Sequence, residues 1–87
     1  MYFAVNHNIE DKDLWAKNLA EYDESSMPEG YANPVSYIAA DVSRAFCLWT
    51  GPSIEGLQAW LDAATSGARN YYWAVDPTAE GTVGIPN

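Results

Sequence analysis

The 87-residue chain has room for one domain, and it contains four tryptophans, six tyrosines and two phenylalanines. Twelve Asp and Glu residues against four Lys and Arg residues give a formal net charge of -8. This charge disfavours nucleic acids and anionic membrane surfaces as partners, because both are negatively charged.

The first residues, MYFAVNHN, contain neither a basic segment nor a long apolar run, so we expect no signal peptide. No stretch of the sequence approaches the length needed to span a bilayer. The single cysteine, Cys47, cannot form an intramolecular disulfide, and in an apolar segment it is expected to behave as a small hydrophobe. We therefore expect a cytoplasmic protein that does not associate with membranes.

The first predicted element is a strand over residues 2–9, in which apolar residues and His7 alternate with polar or small ones. A helix is predicted to follow from the N-cap residue Asp11 to about Tyr22, with Trp15 on its apolar face. Residues 25–33 (SSMPEGYAN) are predicted to form a loop.

A β-hairpin is predicted next. Its first strand covers residues 35–40 after Pro34, its turn covers residues 41–44, and its second strand covers residues 45–50. The second strand, AFCLWT, is apolar on both faces. A strand of this kind lies inside a sheet and must be covered on both sides.

After the hairpin, residues 51–53 (GPS) end the strand and cap a second helix. This helix carries apolar residues on one side: Ile54, Leu57, Leu61 and Ala64. Gly67 is expected to end it, and residues 70–76 are predicted to form the last strand. We therefore divide the chain into a folded domain over residues 1–76 and a tail over residues 77–87, which is expected to pack on the domain or on a partner subunit.

The order strand, helix, strand, strand, helix, strand predicts an α+β fold of the ferredoxin-like type. In this βαββαβ arrangement a four-stranded antiparallel sheet has both helices on one face. The central strand over residues 45–50 then has an uncovered side. A second copy of the chain is the simplest cover, so we predict a homodimer.

The layout of the chain resembles that of the small ferredoxin-like proteins that pair as dimeric α/β barrels. The resemblance lies in the strand that begins near Met1, the run Phe46-Cys47-Leu48-Trp49, the segment GPSIEGL after it, and the tyrosine-rich last strand. It implies that the helix-free faces of two sheets close on each other, with a pocket between sheet and helices or inside the barrel. Members of this superfamily include muconolactone-type isomerases, cofactor-free monooxygenases, polyketide cyclases, haem-handling enzymes and proteins suggested to bind nickel.

His7 is the only histidine and the only side chain expected to titrate near neutral pH. One interpretation makes it a general base or a hydrogen-bond partner of a bound oxygen. The other makes it a partly buried residue that is satisfied by a neighbour. We name His7 as a candidate catalytic residue together with Tyr72, a phenol on the last strand.

The remaining candidates are aromatic and amide side chains that line a pocket or contact a partner chain. They are Asn6, Asn8, Tyr37, Trp49 and Trp73. The sequence contains no phosphate-binding loop, nucleophile elbow or HExxH motif, and we predict neither a metal site nor a cofactor.

The resulting functional hypothesis is a dimeric barrel that binds a small apolar or aromatic molecule. Its implied chemistry is that of a cofactor-independent cyclase, isomerase or monooxygenase. The alternative is a non-enzymatic module that binds a ligand or a metal such as nickel. A third possibility is an interaction protein whose aromatic surface serves only assembly.

Overall fold

The computed structural model describes residues 1–84, apart from the side chain of Glu24. Its element order is that predicted from the sequence. The elements are β1 (Tyr2–Ile9), α1 (Lys12–Ala20), a short 3-10 turn (Glu24–Ser26), β2 (Ala32–Ile38), β3 (Arg44–Thr50), α2 (Ile54–Ala64) and β4 (Ala68–Val75). The last three residues of the predicted tail lie outside the described residues.

The four strands form one antiparallel sheet in the order β2-β3-β1-β4. This order confirms the predicted βαββαβ ferredoxin-like topology, with β1 and β3 in the centre. No helix within residues 1–84 is long and apolar enough to cross a membrane.

Both helices begin at the capping residues that the sequence indicates. The Asp11 carboxylate accepts from the Leu14 backbone N–H at 3.0 Å, and the Ser53 hydroxyl accepts from the Gly56 N–H at 3.1 Å. Helix α1 ends at Ala20, two residues before the predicted end, and buries only Trp15. This helix therefore buries less apolar surface against the sheet than a helix whose apolar residues form a continuous stripe.

Several boundaries of β2, β3 and β4 differ from the prediction by one to three residues. Strand β2 begins at Ala32, and Pro34 lies within it at an irregularity between Ala32 and Val35. Proline is tolerated there because β2 is an edge strand, where a ladder hydrogen bond can be absent. Strand β4 begins at Ala68, directly after Gly67.

The β2–β3 turn contains Val42 with a backbone φ of 59°, which is rare for a β-branched residue. Its side chain packs against a small buried cluster formed by Ile9, Trp15 and Ala45. The turn is also joined to α1, because the Lys12 ammonium donates to the Asp41 carbonyl at 2.7 Å.

The two faces of the sheet differ in how they are covered. On the helix-covered face the main core consists of Phe3, Val5, Cys47, Trp49, Leu57 and Leu61. On the helix-free face Ala4 and Leu48 are buried, whereas Tyr37 is 67% exposed and Trp73 44% exposed. Tail residues Gly81, Thr82, Val83 and Gly84 line a cavity of about 400 Å³ against this face.

Candidate functional site

A cleft of about 280 Å³ lies between the helix-covered face of the sheet and the two helices. Its walls include His7 and Trp49 from the sheet, Trp15 and Leu19 from α1, and Leu61 and Thr65 from α2 and its C-cap. Leu19 is 52% exposed. It therefore lies at the mouth of the cleft, where the lightly attached helix α1 forms one wall.

His7 points into the protein because of strand alternation. Phe3, Val5 and His7 occupy the same face of β1, and the His7 side chain is 1% exposed. On the neighbouring strand β4, Asn70 is the residue directly opposite His7. The antiparallel register therefore places an amide beside the buried imidazole.

A chain of hydrogen bonds orients the imidazole. His7 Nδ1 lies 2.5 Å from Asn70 Oδ1. The Asn70 amide nitrogen donates to the Asp62 carboxylate at 2.9 Å and to the Thr65 hydroxyl at 2.7 Å. The Thr65 hydroxyl donates its own proton to the Leu61 carbonyl at 2.7 Å, so it can only accept from Asn70.

These partners determine the tautomer of His7. The amide nitrogen of Asn70 must face Asp62 and Thr65, so its oxygen faces His7 and Nδ1 must be the donor. In a neutral imidazole the other nitrogen then carries a lone pair. Among the described residues Nε2 has no hydrogen-bond partner, which leaves it available to a molecule in the cleft.

The charge state of His7 favours a proton acceptor. Burial lowers the pKa of His7 below its ordinary value of 6.5, and the hydrogen bond that His7 donates to Asn70 and the charge of Asp62 oppose this only in part. The ring is therefore neutral at pH 7, with Nε2 unprotonated.

Trp15 supplies an unpaired donor beside His7. Its side chain is 5% exposed, and its indole Nε1–H is buried with no hydrogen-bond partner in the described part of the chain. The centroids of the Trp15 and His7 rings are 5.3 Å apart. A buried N–H without a partner costs about 1–3 kcal/mol, which is why such groups are uncommon in folded proteins.

The polar side chains at the other end of the cleft have hydrogen-bond partners. The Cys47 thiol lies 3.0 Å from the Ser36 hydroxyl, and the Trp49 N–H donates to the Asn33 amide oxygen at 3.2 Å. Burial raises the pKa of the Cys47 thiol, so it is not a thiolate at neutral pH. This end of the cleft therefore offers no activated nucleophile.

Of the residues named from the sequence, His7 and Trp49 line the cleft. Tyr72 lies on the same sheet face and donates to Asp62 at 2.6 Å. Burial, together with Asp62, raises the pKa of Tyr72, so the phenol stays protonated. Tyr72 thus belongs to the network behind His7 rather than to the cleft wall.

The other four named residues lie on the opposite side of the sheet. They are Asn6, Asn8, Tyr37 and Trp73. Tyr37 stacks on Phe46 with ring centroids 6.3 Å apart, and both line cavities of the helix-free face. The structure therefore separates these residues from His7 by the thickness of the sheet.

Sequence reasoning missed Trp15, Asp62, Thr65 and Asn70 as parts of the site. One signal was present, because Asp62 and Thr65 are three residues apart and therefore neighbours on a helical surface. The other was the polar residue Asn70 at the start of an aromatic strand. Neither indicates a site without the β1–β4 register.

Within residues 1–84 no three His, Cys, Asp or Glu side chains gather in an arrangement that could hold a metal ion. No protein-family model matches the chain, and searches of the curated proteins and of the solved structures give no significant match. The fold assignment therefore depends on strand order and pairing, and the candidate site depends on its geometry.

Proposed function

We propose that the cleft binds a small, largely apolar or aromatic molecule and that His7 exchanges a proton with it. The observation that carries this proposal is the hydrogen-bond chain from Asp62 through Asn70 to His7. It holds Nδ1 as a donor, so the unprotonated nitrogen is Nε2, on a residue that lines a largely apolar cleft. This is the arrangement that a general base requires.

The volume of the cleft limits the size of the molecule. An apolar cavity of about 150 Å³ is large enough to bind benzene. At about 280 Å³, this cleft has room for a substituted or bicyclic ring. The formal net charge of -8 and the nearby Asp62 carboxylate favour a neutral molecule over an anion.

The proposed chemistry is a proton transfer that needs no cofactor. His7 Nε2 takes a proton from an acidic C–H or O–H of the bound molecule, which produces an imidazolium and a bound enolate or phenolate. Asn70 Oδ1 stabilises the imidazolium through Nδ1–H. Return of the proton to another atom of the same molecule completes an isomerisation with no net change in protons.

The test uses 2-tetralone, a bicyclic aromatic ketone whose α-hydrogens exchange with solvent through its enol. Exchange in D2O is followed by NMR with the wild-type protein, with His7→Gln and with Tyr37→Phe. We expect the protein to accelerate exchange, His7→Gln to abolish the acceleration, and Tyr37→Phe, on the opposite face, to keep it.

Two results would contradict this proposal in different ways. Binding of 2-tetralone with no acceleration would leave a non-catalytic ligand-binding cleft. Absence of binding at millimolar ketone, with both variants folded, would remove the ligand-binding cleft as well.

We also infer that the chain pairs with a second copy through its helix-free face. The support is the aromatic surface of Tyr37, Tyr71 and Trp73, which are 67%, 47% and 44% exposed. Exposed apolar patches of this kind are typical of contact surfaces. A copy of the same face would cover it with matching tyrosine and tryptophan side chains.

Light scattering from micromolar to millimolar protein tests this assembly. We expect a dimer for the wild type and a monomer for Trp73→Glu, which places a charge on the helix-free face. Ala59→Glu, on the exposed surface of α2, should remain dimeric. A wild type that stays monomeric at millimolar concentration would rule the pairing out.

A further inference from the structure

Two neighbouring residues that line the cleft carry unpaired polar groups of opposite kinds. His7 Nε2 is an acceptor with no donor, and Trp15 Nε1–H is a buried donor with no acceptor in the described part of the chain. Their rings are in contact, with centroids 5.3 Å apart, and both residues line the cleft. Other polar side chains of the cleft have partners of their own: Cys47 with Ser36, Trp49 with Asn33, Thr65 with the Leu61 carbonyl, and Asn18 with Ser66.

We propose that this pair recognises a neutral hydroxyl group on a small aromatic or apolar molecule, that is, a phenol or an enol. The hydroxyl donates its proton to His7 Nε2 and accepts from Trp15 Nε1–H. This inference rests on the proposed function, because it names the chemical class of the molecule that the same cleft binds.

Other functional groups satisfy the pair less well. A carbonyl or a carboxylate can only accept, so it leaves Nε2 of a neutral His7 without a donor. An ammonium group can only donate, so the Trp15 N–H stays unpaired. A primary amide has both functions, but it presents them on two atoms and brings a second N–H into a largely apolar cleft. A single hydroxyl group can donate to His7 Nε2 and accept from Trp15 Nε1–H, and it brings no further N–H or O–H into the cleft.

The experiment compares four probes that share one ring and differ in one substituent. They are 4-ethylphenol, 4-ethylanisole, ethylbenzene and 4-ethylbenzamide, and their binding is measured by calorimetry and by protein NMR. The anisole can accept but not donate, and ethylbenzene can do neither. We expect the phenol to bind the wild type about tenfold or more tightly than the anisole and ethylbenzene, since it gains two hydrogen bonds.

The variants identify which groups recognise the hydroxyl. Trp15→Phe keeps an aromatic ring but removes the N–H, and we expect it to lose most of the preference for the phenol over ethylbenzene. Trp73→Phe is the matched control on the helix-free face and should keep the preference. In the wild type, the indole N–H signal that is missing from Trp15→Phe should shift on addition of the phenol but not of ethylbenzene.

The outcomes separate this inference from the proposed function. Equal affinity for the phenol, the anisole and ethylbenzene would overturn hydroxyl recognition while leaving an apolar binding cleft. Tighter binding of 4-ethylbenzamide than of the phenol would overturn it in favour of amide recognition. Failure of all four probes to bind would overturn both. If Trp15→Phe does not fold, the comparison of phenol with anisole in the wild type still decides the matter.

Discussion

The two faces of the sheet are made by the same strands, yet they have different chemical character. On the helix-covered face, β1 contributes Phe3, Val5 and His7, all essentially inaccessible to solvent. On the helix-free face it contributes Asn6 and Asn8, which are exposed. One face thus holds a buried polar network beside a cleft, and the other presents an aromatic surface.

This difference shows that the position of a polar residue along a strand decides its role. A buried imidazole requires a hydrogen-bond partner. His7 Nδ1 lies 2.5 Å from Asn70 Oδ1, and the Asn70 amide nitrogen in turn donates to the Asp62 carboxylate at 2.9 Å. An exposed amide on the same strand is satisfied by water and requires nothing from the protein. The helix-covered face is therefore where a change of one polar atom should alter stability and binding.

The largest expected effect is a loss of unfolding free energy, and it is expected to differ between two leucines on opposite sides of the sheet. Leu57 is completely buried between α2 and the sheet, so Leu57→Ala should cost about 2–5 kcal/mol of unfolding free energy. Leu48 is 5% exposed, but its cover includes the tail and a cavity of about 400 Å³. Leu48→Ala should therefore cost less than Leu57→Ala in urea denaturation at micromolar protein.

Protein concentration sharpens this contrast. If two copies pair through the helix-free face, the cost of Leu48→Ala should rise with concentration, whereas that of Leu57→Ala should follow the wild type. A larger cost for Leu48→Ala at concentrations where light scattering shows a monomer would show that the tail covers its face as firmly as the helices cover theirs.

An intermediate effect is expected from two asparagines. Asn70→Ala leaves the His7 Nδ1–H without its acceptor, so it should cost about 1–3 kcal/mol. Asn6→Ala, on the exposed face, should change stability by less than about 0.5 kcal/mol. The measurement is urea denaturation of both variants, together with 15N NMR of the His7 ring.

In the ring spectrum, the wild type should show a single tautomer protonated on Nδ1, and Asn70→Ala should show a mixture. Equal stability of the two variants, or an unchanged tautomer in Asn70→Ala, would mean that Asn70 does not orient the imidazole.

The smallest expected effect is on pH dependence. Because burial lowers the folded-state pKa of His7 below 6.5, the unfolded chain binds a proton that the folded chain excludes. Stability should therefore fall as pH decreases through 6.5, with a slope of at most about 1.4 kcal/mol per pH unit, and level off below the folded pKa.

His7→Gln should remove this slope, since His7 is the only histidine. Asp23, Asp41 and Asp76 have lowered pKa values from hydrogen bonds with Ser or Thr, so their contributions should be lost only as pH falls below 3.8. A slope near pH 6 that persists in His7→Gln would contradict the burial of a neutral imidazole.

Most of the fold followed from local signals. The caps at Asp11 and Ser53 and the doubly apolar strand β3 are read directly from residue type and spacing. Local composition predicts starts for β2 and β4 that are two to three residues late, because pairing with a neighbouring strand extends a segment beyond what its own composition indicates.

The site was only partly predictable, because it is assembled from contacts distant in sequence. His7 and Asn70 are 63 residues apart, and only the β1–β4 register brings them together. Trp15 reads as an ordinary apolar helix residue, since a sequence does not show whether an indole N–H finds a partner. Residue type alone groups Asn6 and Tyr37 with His7, although the period of two along a strand assigns Asn6 to the other face.

The hairpin turn at Val42 has a consequence for detecting ligands. Val42 packs against the cluster that contains Trp15, and the Lys12 ammonium donates to the Asp41 carbonyl. These two contacts join the turn to α1. A molecule that displaces α1 from the sheet must also disturb this turn. The Val42 N–H, which donates to the Ala39 carbonyl at 2.9 Å, should then exchange with deuterated solvent at a different rate when the cleft is filled. An amide outside the cleft would in this way report its occupancy.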